Sequence, residues 1–474
     1  MYFSVVCEVL VVLLTLVILS KAEVNETKTC EVTTNDDIYY TLNCSRRDFD
    51  SVPKWPQEIS QMKKEGHLLV TFFNNSIKNV GQLEAVPGAR VAVSFKQNRI
   101  EQIEKDAFQN IERLVYLDLS KNTISGEVLR AEIFRGPYVD NEYHNIGLET
   151  LNLGYNEIHS LDRYLFQFTP NLTRLYLNNN PIEILDHVTV LAISGATILE
   201  VLDLSETFIE TIPIDAFRGL KNLEQLDLSG NKFTTVPESL SLVGSSLKYL
   251  SFNNNPIVEL DDDSFIGLSN LVELEVAEND YLEEVKRSTF SPLINLKVLH
   301  LCHNRNLRYI SHKAFRGLKD KWTLKEVYLD DNNLSELSSD LMPWSKLDAL
   351  GMTGNNWLCN CELVNIVTIQ GAGSKFKYGE IPYCAAPLRL SGELITNVTL
   401  PFCPTFDTSF SCKKKFRITD LKPKHVLWSI FGVAIVVCIG TVIGWIFKKT
   451  TSFCKKNARN KQVRYSNLYS ETFA

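Results

Sequence analysis

The stretch Leu223-Glu224-Gln225-Leu226-Asp227-Leu228-Ser229-Gly230-Asn231-Lys232-Phe233 carries the pattern that organises this chain. Its spelling recurs at Leu114/Leu117/Leu119/Asn122/Ile124, at Leu148/Leu151/Leu153/Asn156/Ile158, at Leu172/Leu175/Leu177/Asn180/Ile182 and at Leu247/Leu250/Phe252/Asn255/Ile257. The asparagine position falls at Asn75, Asn98, Asn122, Asn156, Asn180, Asn231, Asn255, Asn279, Asn304, Asn332 and Asn355, with Thr207 as the exception. Successive spacings are 23, 24, 34, 24, 27, 24, 24, 24, 25, 28 and 23 residues. A fixed period of this size marks a stacked repeat architecture. Side chains alternate faces along a strand, so each copy predicts one short strand with its leucines turned inward. Stacked copies predict a parallel sheet on the concave side, an arc roughly 55 Å long at ~4.8 Å per strand. The asparagine is expected to end the strand and to bond the buried backbone of the turn and of the next repeat. Thr207 interrupts that ladder and is expected to be a weak point.

A second register supports the first. An aromatic follows the asparagine position at Phe108, Phe166, Phe217, Phe265, Phe290 and Phe315, often behind an alanine such as Ala107, Ala216 or Ala314. These rings predict a core spine on the convex side. The 34-residue repeat holds an insertion at Arg135-Gly136-Pro137-Tyr138-Val139-Asp140-Asn141-Glu142-Tyr143-His144-Asn145, which reads as a surface loop.

These spacings are those of the leucine-rich repeat, and the chain resembles extracellular proteins built from it. The resemblance implies an α/β-type solenoid, a horseshoe of about 12 repeats with its parallel sheet on the concave face, closed at both ends by cysteine-flanked caps. The segment Asn356-Trp357-Leu358-Cys359-Asn360-Cys361-Glu362-Leu363, with Cys384 and Cys403 downstream, is similar to the family's C-terminal cap. The family pattern implies the pairs Cys359–Cys384 and Cys361–Cys403. The N-terminal cap usually has four cysteines; here Cys30 and Cys44 are the only local pair. Of the remaining exterior cysteines, Cys302 and Cys412 can pair with each other, but Cys412 reads better as a free or intermolecular thiol near the membrane. Cys302 reads as a partly buried thiol rather than as a metal ligand with His300 and His303. A secreted setting favours disulfides over zinc for such cysteines.

Both ends of the chain point to that setting. Val9–Leu19 is an apolar run followed by Ser20-Lys21-Ala22, which reads as a signal peptide of residues 1–22; an uncleaved anchor is the alternative. Val426–Phe447 is 22 residues without a charge, about 33 Å as a helix, flanked by Trp428 and Trp445. It predicts one transmembrane span. Basic residues flank both sides of it, so the orientation follows from the signal peptide: type I in the plasma membrane, with residues 23–425 outside and 448–474 inside. The expected order is a signal peptide (1–22), an N-terminal cap (23–66), repeats (67–358), a C-terminal cap (359–403), a juxtamembrane stalk (404–425), the span (426–447) and a cytoplasmic tail (448–474).

Composition narrows the function. There are 49 basic and 56 acidic residues, a net charge of −7, which excludes the strongly basic balance of a nucleic-acid binder. No Gly-x-Ser-x-Gly, His-Glu-x-x-His or phosphate-binding glycine loop occurs, so no enzyme, cofactor or metal is expected. Asparagine-linked glycans are expected among Asn25, Asn43, Asn74, Asn171, Asn333 and Asn397, each in Asn-x-Ser/Thr. The outward strand positions collect tyrosines and carboxylates: Tyr116, Tyr176, Asp203, Asp227, Tyr249, Glu273, Glu275, Tyr328 and Asp330, with Tyr155, Glu278 and Asp331 beside them. That face is expected to bind a protein ligand with a basic patch.

The 27-residue tail is too short for a kinase or a Toll-type domain. It holds Tyr465-Ser466-Asn467-Leu468, which looks like a tyrosine-based sorting signal with Tyr465 and Leu468 as its fixed positions, and Cys454, a palmitoylation candidate. Gly440 and Gly444 in the span suit a homodimer. The whole chain resembles single-pass leucine-rich repeat cell-surface proteins, its ectodomain being similar to those of Toll-like receptors and leucine-rich repeat adhesion proteins. The resemblance implies a receptor or adhesion protein that binds an extracellular or cell-surface protein. An innate-immune co-receptor and an endocytic receptor working through Tyr465 are the alternatives.

Overall fold

The computed structural model describes residues 28–400, apart from 36–37, 63–64, 87, 319–320, 371–374 and 377–378. The signal peptide, Asn25, Cys403, Cys412, the stalk, the transmembrane span with its glycine pair, Cys454 and the Tyr465 motif lie outside the described residues. Among the described residues, no helix is long and apolar enough to cross a membrane.

Twelve parallel strands follow one another across a single sheet in chain order, from His67–Thr71 to Ala349–Gly351. Two more, Glu31–Asn35 and Tyr39–Asn43, extend its N-terminal edge as an antiparallel pair. Register is in step along the stack: Leu151, Leu175, Leu202, Leu226, Leu250, Leu274 and Leu299 pair in turn, each buried. Apolar burial of this kind stabilises a stack at about 25 cal/mol per Å². The return legs supply the other wall of the core. Phe265, Phe290 and Phe315 stack at centroid separations of 6.0 and 4.9 Å. Phe108 and Phe217 are as deeply buried.

The expected α/β-type solenoid is a β-solenoid instead. Most return legs are turns or two-residue strands such as Glu259–Leu260, Glu284–Val285 and Tyr309–Ile310, which form their own parallel ladder. The reason is reach: a helical residue advances 1.5 Å and an extended one about 3.3 Å. A leg left over from a repeat of about 24 residues cannot cross the core as helix. Among the described residues, the one return-leg helix of more than two turns, His187–Gly195, lies where the spacing widens to 27 residues.

The asparagine ladder runs in the direction opposite to the expected one, reaching back to the preceding repeat. Asn98 donates to Phe72 O of the repeat before it and to Phe95 O of its own, both at 2.9 Å, and accepts from Ile77 N at 3.1 Å. Asn122, Asn156, Asn180, Asn231 and Asn255 repeat that geometry. The residue just before each ladder position has positive φ in all twelve repeats, from Asn74 (55°) through Tyr155 (58°) and Glu278 (60°) to Gly354 (67°). This left-handed turn swings the amide inward. Only Gly230 and Gly354 take the conformation without the cost of a Cβ.

Thr207 fits the ladder in part. Its hydroxyl reaches Leu204 O of its own repeat at 2.7 Å and Asn231 Oδ1 ahead of it at 2.9 Å. It is too short to reach back, and Ile182 N, whose counterparts bond an asparagine oxygen, turns to Asn180 O. Thr207→Asn is therefore expected to raise stability by about 1 kcal/mol, since it supplies the missing rung. The midpoint of urea unfolding measures this; an unchanged or lowered midpoint would show that the site is already satisfied.

Both caps are cross-linked. Cys30 bonds Cys44, and Cys359 bonds Cys384. Cys361 is disulfide-bonded; its expected partner, Cys403, lies outside the described residues. At the C-terminal end, Asn360 caps the helix Cys361–Ile369 by accepting from Leu363 N at 3.0 Å. Trp357 is wholly buried beneath this cap, its indole N–H on Met352 O at 2.8 Å. Cys302 is buried outright, beyond the partial burial expected of it.

The insertion is not an irregular loop. Arg135–Val139 and Glu142–Asn145 form an antiparallel hairpin. Its two-residue turn places Asp140 and Asn141 at φ 52° and 67°, the left-handed values a tight hairpin turn requires. Arg135 anchors it with a two-point ion pair to Asp106, and its guanidinium lies 3.7 Å from the centroid of the Tyr143 ring. The Asp106 carboxylate raises the Arg135 pKa above its usual value.

Candidate functional site

Strand register arranges the outward side chains of the long sheet in columns. One reads Tyr116, Thr150, Arg174, Val201, Gln225, Tyr249, Glu273, Val298, Glu326 and Ala349. The next reads Asp118, Asn152, Tyr176, Asp203, Asp227, Ser251, Glu275, His300, Tyr328 and Gly351. Of the residues expected to bind, Tyr116, Tyr249 and Glu273 stand in the first column, and Tyr176, Asp203, Asp227, Glu275 and Tyr328 in the second. Asp330 lies one pleat further on, while Tyr155, Glu278 and Asp331 belong to the left-handed turns.

Several of these side chains are structural. Tyr116 and Tyr176 are buried, as are Asp203 and Asp330. Asp203 accepts from Ser205 N at 2.9 Å and from its hydroxyl at 2.6 Å, and Asp227 holds Ser229 in the same way. Asp118 repeats the motif on Ser120 N, and burial pushes its carboxyl pKa up, against the opposing effect of the Ser120 bonds. Asp330 spends one oxygen on Thr353, at 3.0 Å to the N–H and 2.9 Å to the hydroxyl. In each case a carboxylate satisfies backbone at the strand end, a role that the sequence pattern Asp-Leu-Ser at 118, 203 and 227 already signals.

A cluster of accessible tyrosines and glutamates lies on the late repeats. Tyr249, Glu273, Glu275, Glu326 and Tyr328 are half-buried there on adjoining strands. The Tyr328 hydroxyl donates to Glu326 Oε2 at 2.6 Å, and Asn253 donates to Glu275 Oε2 at 2.7 Å. His300 sits among them at 6% exposure, its ring stacked on Tyr328 with centroids 4.8 Å apart. Its Nε2 lies 3.5 Å from Glu273 Oε1. Sequence reasoning placed His300 beside Cys302 and His303. The tertiary neighbours are instead the two glutamates of the preceding repeat, which no local spacing reveals, and His303 turns to Asp331 at 3.2 Å. Glu326 was also missed, although it precedes Tyr328 at the same strand period.

Among the candidate glycan positions, Asn74, Asn171, Asn333 and Asn397 are exposed. Asn43 is half-buried in a strand and accepts from Ser45 N at 3.0 Å.

Known proteins share the repeat. Family models described as "Leucine rich repeat" match residues 183–233, 197–244 and 269–322, and one described as "Leucine Rich repeats (2 copies)" matches 146–189. Tsukushi of Gallus gallus is 29% identical over 248 residues, 48% of this chain and 64% of that protein. Transforming growth factor beta activator LRRC33 of Danio rerio is 27% identical over 258 residues, 52% of this chain and 31% of that protein. The chain thus spans less than two thirds of the length of either relative. The crystal structure of human 5T4 (Wnt-activated inhibitory factor 1, trophoblast glycoprotein) aligns with a TM-score of 0.40 and 22% identity, over 51% of this chain and 89% of that one.

Proposed function

We propose that this chain of leucine-rich repeats is a cell-surface receptor or adhesion protein that docks a protein ligand on the late-repeat part of its long sheet. The observation that carries the reading is the half-exposed group of Tyr249, Glu273, Glu275, Glu326 and Tyr328 on rigid neighbouring strands. Aromatic rings supply desolvated contact area at an interface core, and carboxylates select a partner with a basic patch. The cross-linked ends favour an oxidising, extracellular setting. The apolar run Val426–Phe447 supports a single-pass type I anchor, with residues 23–425 outside, six candidate glycan sites and a non-catalytic tail.

The full-length protein displayed on cells, screened against tagged secreted and surface ectodomains, tests this. Glu275→Gln combined with Tyr328→Ala is expected to weaken capture of the selected ligand by about tenfold or more. Binding by the wild type is expected to fall as salt rises. Ligand capture that survives the double substitution unchanged would move the interface elsewhere. Rapid internalisation of the ligand, abolished by Tyr465→Ala, would favour the endocytic alternative over adhesion.

A further inference from the structure

We propose that Glu273, Glu275 and His300 form a binding site for a divalent transition metal of the zinc class on the outer face of the long sheet. Each offers one ligand atom, and these atoms all lie within 4.8 Å of one another. In a tetrahedral zinc site with bonds of about 2.0–2.1 Å, neighbouring ligand atoms stand about 3.3 Å apart. The 3.5 Å between His300 Nε2 and Glu273 Oε1 is already close to such an edge.

The backbone brings the ligands together. Glu275 pairs directly with His300 across parallel strands, and Glu273, two residues earlier, shares the same face. Neighbouring repeats hold the ligands in place. Asn253 donates to Glu275 Oε2 at 2.7 Å, with Ser251 Oγ at 3.4 Å, and the Tyr328 ring stacks on the imidazole at an interplanar angle of 21°. Such outer contacts orient ligands and raise metal affinity. Two carboxylates held side by side repel, and a divalent cation between them removes that repulsion.

The donor set selects the metal. Calcium takes six to eight oxygens, whereas an imidazole nitrogen with carboxylate oxygens suits zinc. Three protein ligands leave a fourth position for water or another donor. The inference does not depend on the protein-docking role of the same face.

Titration of the purified full-length chain in detergent with Zn²⁺ alone, without any protein ligand, tests it. One equivalent is expected to bind saturably and to raise the melting temperature relative to the protein in chelator. Glu275→Gln keeps the shape and the acceptor for Asn253. It and His300→Ala are each expected to weaken binding roughly tenfold to a hundredfold, while His303→Ala leaves it unchanged. If His300→Ala fails to fold, Glu273→Gln takes its place. Co²⁺ in the same site is expected to show visible d–d bands without thiolate charge transfer. Absence of stoichiometric Zn²⁺ binding, full binding by Glu275→Gln, a thiolate band that assigns the metal to Cys302, or tighter binding of Ca²⁺ than of Zn²⁺ would each overturn the proposal. Because no ligand protein is present, these outcomes are independent of whether the docking reading holds.

Discussion

Asn231→Ala is expected to destabilise the repeat array by about 4 kcal/mol, among the largest losses a single substitution gives in a protein of this kind. The Asn231 amide donates to Leu204 O at 2.8 Å and to Leu228 O at 2.9 Å, joining two repeats. Its oxygen accepts from Thr207 N at 3.1 Å and from Ile209 N at 3.0 Å. Alanine removes every one of these partners at once, inside a region where Ile209 and Thr207 are wholly buried. Each backbone group left without a bond costs about 1–3 kcal/mol, reduced by whatever relaxation admits water. Thr207 makes the neighbouring rung weak already, so this position has less support than Asn122 or Asn156. Urea unfolding followed by circular dichroism reads the total. Hydrogen exchange at Thr207 and Ile209 reads its location, and both amides should lose protection. A loss below about 1 kcal/mol would mean that the ladder is incidental to stability.

Replacing Cys359 and Cys384 by serine is expected to cost about 3.5 kcal/mol, the loop-closure value for a bridge of this span, the two cysteines being 25 residues apart in sequence. Packing sets where the effect is felt. Both cysteines are buried beside Trp357, and Ala385 N and Ala386 N donate to Trp357 O at 2.9 and 3.0 Å. Trp357 lies against Met352, and Leu350 bridges to Phe376 of the cap, so both residues of the last apolar layer are buried. Loosening should therefore begin at the C-terminal end and spread inward. Limited proteolysis is expected to cut first between residues 359 and 398, and the melting temperature should fall. Cleavage that starts instead at the N-terminal cap, with an unchanged melting temperature, would show that the bridge does not hold the cap shut.

The repeat was legible because its physics is local. The Leu-x-x-Leu-x-Leu spacing encodes a strand with one buried face, and the asparagine encodes a polar group able to serve buried backbone. The direction of the ladder was not legible, since one amide serves the repeat before it or after it with equal chemistry. The positive φ before every ladder residue was equally hidden, because Lys121, Tyr155, Glu206 and His303 occupy it as readily as Gly230 does. Tertiary constraint there overrides the preference of the residue. The hairpin at Arg135–Asn145 looked like a loop because its anchor, Asp106, is 29 residues away.

The binding face divides the same way. Alternation alone placed Tyr249, Glu273, Glu275 and Tyr328 outward on the sheet, because period two along a strand needs no knowledge of neighbours. It also promoted Tyr116, Tyr176, Asp203 and Asp330, which the fold buries. Whether an outward carboxylate faces a ligand or closes a strand end depends on the serine or threonine that meets it, and for Asp330 that residue is Thr353, in the following repeat. Periodic, nearest-neighbour information sits in the chain itself: strand count, core leucines, the aromatic spine and the cysteine-bounded caps. Exposure and the meeting of Glu273 and Glu275 with His300 belong to the stacked structure alone. They arise from lateral register between repeats 25 residues apart, and that register exists only once the core has closed.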